Sequence, residues 1–196
     1  MRIVKGYDER RAEILAAATQ LFQEKGFEKA SVNDILKVVG IAKGTFYYYF
    51  KSKEEVLEAV VDEATAVLKS RVAAVINKPN KDPKDKLAEA FQSMNITDIY
   101  GGKLLEDMHK PKNALLHQKS LQAILHEVTP LLTGIIEEGV QAGQFDCPYP
   151  KQLVQIVLAA VATLFDDGIF QLDKKEQQQL LEAFQFFLFK QLGIEN

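Results

Sequence analysis

Apolar residues recur every three or four positions along almost the whole chain, and no stretch alternates with period two for long enough to make a strand. That periodicity predicts an all-α fold of about nine helices. The first stripe, Ile14, Ala18, Leu21 and Phe22, places a helix from about Asp8 to Lys25, stopped by Gly26. Ser31 and Asp34 form a capping-box pattern that opens a second helix, Val32 to Val39, closed by Gly40. A short third helix spans about Ala42 to Phe50. Ser52 and Glu55 open a fourth, whose stripe of Leu57, Val60, Val61, Ala64, Leu68, Val72 and Val75 runs to about Asn77. After a turn holding Pro79 and Pro83, Leu87, Phe91 and Met94 mark a fifth. Gly101-Gly102 breaks the pattern, a short piece reaches His109, and Pro111 follows. A long helix is expected from about Asn113 to Gly143, kinked or split at Pro130. The segments Lys151 to Asp167 and Lys174 to Leu192 complete the chain.

Charge separates the head from the body. Through Ser52 there are nine basic and six acidic residues, and from Lys53 onward fifteen and twenty-one, so a net +3 precedes a net −6. The single cysteine, Cys147, excludes an internal disulfide and a cysteine-rich zinc site. Asp8, Glu9, Arg10 and Arg11 stand where a signal peptide needs apolar residues. The longest apolar run, Leu153 to Phe165, is shorter than the roughly 20 residues of a membrane span. A cytoplasmic protein with no membrane partner is therefore expected.

Nothing points to catalysis. The carboxylate pairs Glu137-Glu138 and Asp166-Asp167 are adjacent in sequence, and helical neighbours diverge by roughly 100°. No phosphate-binding glycine loop or nucleophile elbow is present. His109, His117 and His126 include no i, i+4 pair, so neither a metal nor a cofactor is expected.

The second and third helices, joined at Gly40-Ile41, have the dimensions of a helix-turn-helix, whose second helix enters the DNA major groove. On the third helix Ala42, Phe46 and Phe50 share one face, with Tyr49 at its edge. Gly44 and Tyr48 point the opposite way, flanked by Thr45 and Tyr47. Gly44 leaves the backbone free to approach a duplex, Lys43 and Thr45 reach base edges or phosphates, and tyrosine hydroxyls donate to phosphate oxygens. From Ile35 through Lys53 there is no Asp or Glu, while Lys37, Lys43, Lys51 and Lys53 supply positive charge.

Ser31-Val32-Asn33-Asp34-Ile35 followed by Val39-Gly40-Ile41-Ala42-Lys43-Gly44-Thr45-Phe46-Tyr47-Tyr48-Tyr49-Phe50-Lys51-Ser52-Lys53-Glu54 resembles the DNA-binding segment of the TetR family of bacterial transcriptional repressors. The resemblance extends over about Arg10 to Val61, including Phe22 and the Gly26-Phe27 turn. It implies that Val32 and Asn33 lie near phosphates, that Ala42, Lys43, Gly44 and Thr45 begin the recognition helix, and that Tyr47, Tyr48 and Tyr49 face backbone or bases. It assigns Lys53 a phosphate. Two positions depart from the family pattern: Ala42 stands where Ser or Thr is usual, and Tyr49 where His is common.

The rest of the chain matches that family in helix order and length. The resemblance implies a helix-turn-helix domain, residues 1–53, and a ligand-binding and dimerisation domain, residues 54–196, connected by the fourth helix from residue 52. The last two helices are expected to pair with those of a second copy through Leu153, Val157, Val161, Phe184, Phe187 and Leu188. A small apolar effector is expected among Phe91, Met94, Tyr100, Leu104, Met108, Leu121, Leu125 and Phe165, oriented by Gln92, Asn95, His109 or His117. The expectation is a homodimeric, ligand-released repressor on a pseudo-palindromic double-stranded DNA operator. The alternative is a DNA-binding adaptor on the same fold, controlled by a protein partner.

Overall fold

The computed structural model describes residues 6–166 and 169–194, and all regular structure among them is helical. The elements are α1 (Tyr7–Lys25), α2 (Val32–Val39), α3 (Lys43–Tyr49), α4 (Lys53–Ile76), α5 (Pro83–Ser93), α6 (Thr97–Tyr100), α7 (Gly102–Met108), a 3-10 turn at Pro111–Asn113, α8 (Ala114–Gln141), α9 (Pro150–Leu164) and α10 (Lys174–Gln191). Nine of the described helices have seven residues or more; α6 is a single turn of four. None is long and apolar enough to cross a membrane. Asp167, one of the paired carboxylates, lies outside the described residues.

Local chemistry sets the boundaries. Ser31 Oγ accepts the Asp34 amide at 3.2 Å, and the Asp34 carboxylate accepts the Ser31 amide at 3.0 Å, so the capping box at α2 is complete. At α4 only half of the expected box forms: Ser52 Oγ takes the Glu55 amide, while the Glu55 carboxylate reaches back one residue further, to the Lys51 amide. Asp82 caps α5, with Pro83 in its first turn. Pro130 does not split α8, which runs unbroken past it. Pro130 and His126, whose carbonyl loses its amide partner, are both exposed, so water can satisfy that carbonyl.

Compactness divides the chain into two units. One takes the chain up to Ala66 together with Ile96–His117; the other takes Val67–Asn95 together with the chain from Gln118 on. The core of the first joins Ile14, Phe22, Phe27, Ile35, Phe46, Phe50 and Leu57 to Tyr100, Leu104 and Met108. In the second, Leu68, Val72, Leu87, Leu132, Ile135, Ile136, Val157 and Leu158 are buried.

One close approach in the second unit is specific to glycine. A Cβ on Gly139 of α8 would fall inside the buried Phe145 ring. Alanine gains about 1 kcal/mol of intrinsic helix propensity over glycine. Overpacking a filled core costs about 1–3 kcal/mol, and here the obstacle is a rigid ring. Gly139→Ala therefore lowers the urea midpoint of unfolding, the opposite sign to that of helix propensity alone.

Candidate nucleic-acid interface

The turn between α2 and α3 depends on Gly40, which sits at φ 71° and ψ 37°. This left-handed conformation lets the Gly40 and Ile41 amides both return to the Leu36 carbonyl, at 2.9 and 3.2 Å. The chain then re-enters a helix at Ala42, whose methyl supplies no cap. Phe46 and Phe50 anchor α3 in the core of the first unit. Gly44, Lys43, Tyr47 and Tyr48 are exposed, and Thr45 and Tyr49 are half-buried. A side chain on Gly44 would meet nothing within 4 Å, so its absence serves no internal packing.

Lys43 lies over the Tyr47 ring with its ammonium 5.9 Å from the centroid. Among the described residues Lys37 and Lys43 make no ion pair, which leaves both charges available to an anion. On α2, Asn33 is exposed and Val32 half-buried. Hydrogen bonds from Ser31, its side chain and then its backbone, hold the Asp34 carboxyl below the usual carboxylate range.

Lys53 is placed differently from a free phosphate grip. Its ammonium donates to the Phe27 carbonyl at 2.7 Å and the Ala30 carbonyl at 2.9 Å, over the Phe27 ring at 4.1 Å. It ties the start of α4 to the α1–α2 loop, with one N–H remaining.

A second set of contacts, not visible in local sequence patterns, ties that same loop to α6 and α7. Asp107 is 4% exposed, and its carboxylate accepts the Glu28 amide at 3.0 Å and pairs with Lys110. Gly26, at φ 81°, leaves room for it: a Cβ there would stand 2.6 Å from Asp107 Oδ2. Gln23 donates to the Ile99 carbonyl at 2.6 Å, Lys103 to the Glu24 carbonyl, and Lys112 pairs with Glu28. The end of α1 is thus held by α6, α7 and the turn after them.

The residues expected to line an effector site fall in both units. Tyr100, Leu104, Met108, His109 and His117 belong to the first, and Phe91, Met94, Leu121, Leu125 and Phe165 to the second. Tyr100, Leu104 and Met108 are buried in the core that holds the three N-terminal helices. The Pro111 turn folds α7 against the start of α8 and brings the His109 and His117 rings edge to face at 4.8 Å. Spacing measured along one helix does not reveal that contact. Phe91 packs edge-on against Phe184 at 5.9 Å.

The residues expected to pair with a second copy differ in how far the single chain covers them. Leu153, Val157 and Leu188 are buried within the single chain. Val161 and Phe184 are half-buried, and Phe187 is exposed. The apolar residues that α9 and α10 turn outward include Ile156 and Phe186, each 60% exposed, with Leu181 at 50%.

Comparison with known proteins agrees with this geometry. The family profile described as bacterial regulatory proteins, tetR family, matches residues 14–60, and that of the tetracyclin repressor-like C-terminal domain matches residues 99–186. The chain is 30% identical over 142 residues to the fatty acid metabolism regulator protein of Bacillus subtilis, covering 67% of this chain and 69% of that protein. A transcriptional regulator from Cytophaga hutchinsonii superposes with a TM-score of 0.70 at 21% identity, over 91% of this chain and 96% of that one. The fatty acid degradation regulator from Bacillus halodurans superposes at 0.65 and 23% identity, over 95% and 96%.

Proposed function

The chain belongs to the TetR family of bacterial transcriptional regulators, and from that premise we propose that it is a repressor, homodimeric on a pseudo-palindromic operator and released by a small, largely apolar effector. The observation that carries the reading is the outer face of α3, where Lys43, Gly44, Tyr47 and Tyr48 are exposed on an acid-free segment. Two such helices enter successive major grooves about 34 Å apart or a small multiple of it. Lys43 and Thr45 meet phosphates as well as base edges, with Ala42 and Gly44 beside them. Tyr47, Tyr48 and Tyr49 take phosphates and bases, and Val32 and Asn33 lie along the backbone. Lys53 adds its remaining N–H to a phosphate while holding the α1–α2 loop. The outward apolar residues of α9 and α10 support pairing of two copies.

Release requires an effector that prefers the non-binding state, and moving a population from 1:99 to 99:1 takes about 5.5 kcal/mol of differential affinity. Burial of an apolar ligand at roughly 25 cal/mol per Å² is sufficient for that. The α6–α7 segment and the turn after it transmit the change, because they grip the end of α1 at Gln23 and Glu24 and the α1–α2 loop at Glu28. The name of the Bacillus subtilis relative makes fatty acids the first class to try.

The test begins with a duplex selected by the protein from a random library. The bound complex is then titrated with medium- and long-chain fatty acids and with small aromatic compounds. Release by one class at micromolar concentration supports the reading. Affinity unmoved by every compound replaces the small effector with a protein partner.

A further inference from the structure

Tyr7 belongs to none of the groups assigned above, yet it is in contact with the proposed reading surface. It opens α1 and its ring lies 4.8 Å from Tyr49 and 5.8 Å from Tyr48, edge-on to the latter at 78°. Tyr48 and Tyr49 are themselves edge-to-face at 5.0 Å, so the three rings form one cluster. One turn further along α1, the Arg11 guanidinium stands 4.9 Å above the Phe50 ring. The first turns of α1 therefore hold the C-terminal half of α3 on both its buried and its exposed side.

The cluster does little for the core: Tyr7 is 49% exposed and Tyr48 71%. An aromatic side chain that exposed has no cavity to fix its rotamer and would ordinarily sample several. Here a ring from another helix limits it. Edge-to-face contacts of this kind are directional, so they favour one orientation over its neighbours.

We propose that Tyr7 is a positioning residue for DNA recognition: its ring braces Tyr49 and Tyr48 so that Tyr48 is presented to the duplex in a single orientation. The inference rests on the reading that the outer face of α3 meets the operator. It adds a residue on α1 that touches the reading tyrosines and sets their geometry.

The experiment measures affinity for the selected duplex by fluorescence anisotropy, for native protein and for Tyr7→Ala, Tyr7→Phe, Tyr48→Ala and the Tyr7→Ala/Tyr48→Ala double variant. Circular dichroism verifies the fold; if Tyr7→Ala unfolds, Tyr7→Leu keeps bulk without the ring and takes its place. Tyr7→Ala is expected to lose about fivefold to tenfold in affinity, and to lose nothing further once Tyr48 is already alanine, since contacting residues couple. Tyr7→Phe restores affinity to within about twofold, because a brace needs the ring and not the hydroxyl.

Native affinity in Tyr7→Ala, or additive losses in the double variant, would overturn the proposal. A Tyr7→Phe as weak as Tyr7→Ala would overturn it too, by making the hydroxyl a direct contact. Lys43→Ala on the same duplex separates this from the reading beneath. If Lys43→Ala weakens binding while Tyr7→Ala does not, only the brace fails. If neither Lys43→Ala nor Tyr48→Ala matters, α3 is not the reading helix.

Discussion

Phe186→Glu yields a folded monomer that has lost its operator. The side chain is 60% exposed within the single chain, and surface substitutions of that kind ordinarily change folding stability by about 0.5 kcal/mol or less. In the proposed dimer the same position enters an apolar seam, and two-fold symmetry places the glutamate there twice. An unpaired charge in a dry interface costs several kcal/mol. Without the dimer each reading head engages one half-site alone, and the loss of linkage lowers affinity by about 10²–10⁴-fold. Leu188→Glu provides the contrast, because Leu188 is 4% exposed in the chain's own core. It is expected to unfold the protein, not to separate two folded copies. Sedimentation and circular dichroism on the pair distinguish the outward face of α10 from its inward one.

Asp107→Ala carries the second large effect. It removes the acceptor of the Glu28 amide and the partner of Lys110, both held by a carboxylate that is 4% exposed. A hydrogen bond to a charged group contributes about 1.5–3 kcal/mol, and a buried donor left unsatisfied adds its desolvation. A loss of about 2–4 kcal/mol in urea unfolding is therefore expected. Because the contact ties the α1–α2 loop to α7, operator affinity falls with it.

The pH dependence of that contact has a definite sign. Burial pushes the Asp107 carboxyl up, but the Lys110 ammonium and the Glu28 amide outweigh it and hold the group below its ordinary 3.8. A carboxyl depressed on folding contributes stability above its unfolded value, and loses it as pH falls through the folded value. The stability gap between native protein and Asp107→Asn is thus constant near neutrality. It narrows only as the pH falls below about 4.

The three-helix head was legible because its signals are local. Ser31 and Asp34 are three residues apart, Gly40 sits at the turn, and the Phe46–Phe50 face of α3 repeats at helical spacing. The outward face of α10 was not, because Leu180 through Phe189 is apolar around most of its circumference. Without a polar side there is no period to separate Leu188, which turns inward, from Phe186, which turns outward. The Glu28–Asp107 contact was hidden for a different reason: the two residues are far apart in sequence, and an aspartate near a helix end reads as ordinary solvated charge. Tyr7 was missed because the stripe of α1 begins at Ile14 and ignores its exposed first turn. Pro130 does not split α8 because a proline on the solvent side of a packed helix leaves its orphaned carbonyl to water.

The central claim is that two copies of α3 neutralise phosphates while reading one duplex, and the salt dependence of binding tests it most directly. The slope of log affinity against log salt is measured on the selected duplex for native protein and for Lys43→Ala. A steep native slope is expected, flattened by about one unit for each phosphate contact removed, hence about two for a dimer. Identical affinities and slopes for the two proteins would contradict the assignment of α3 to the operator.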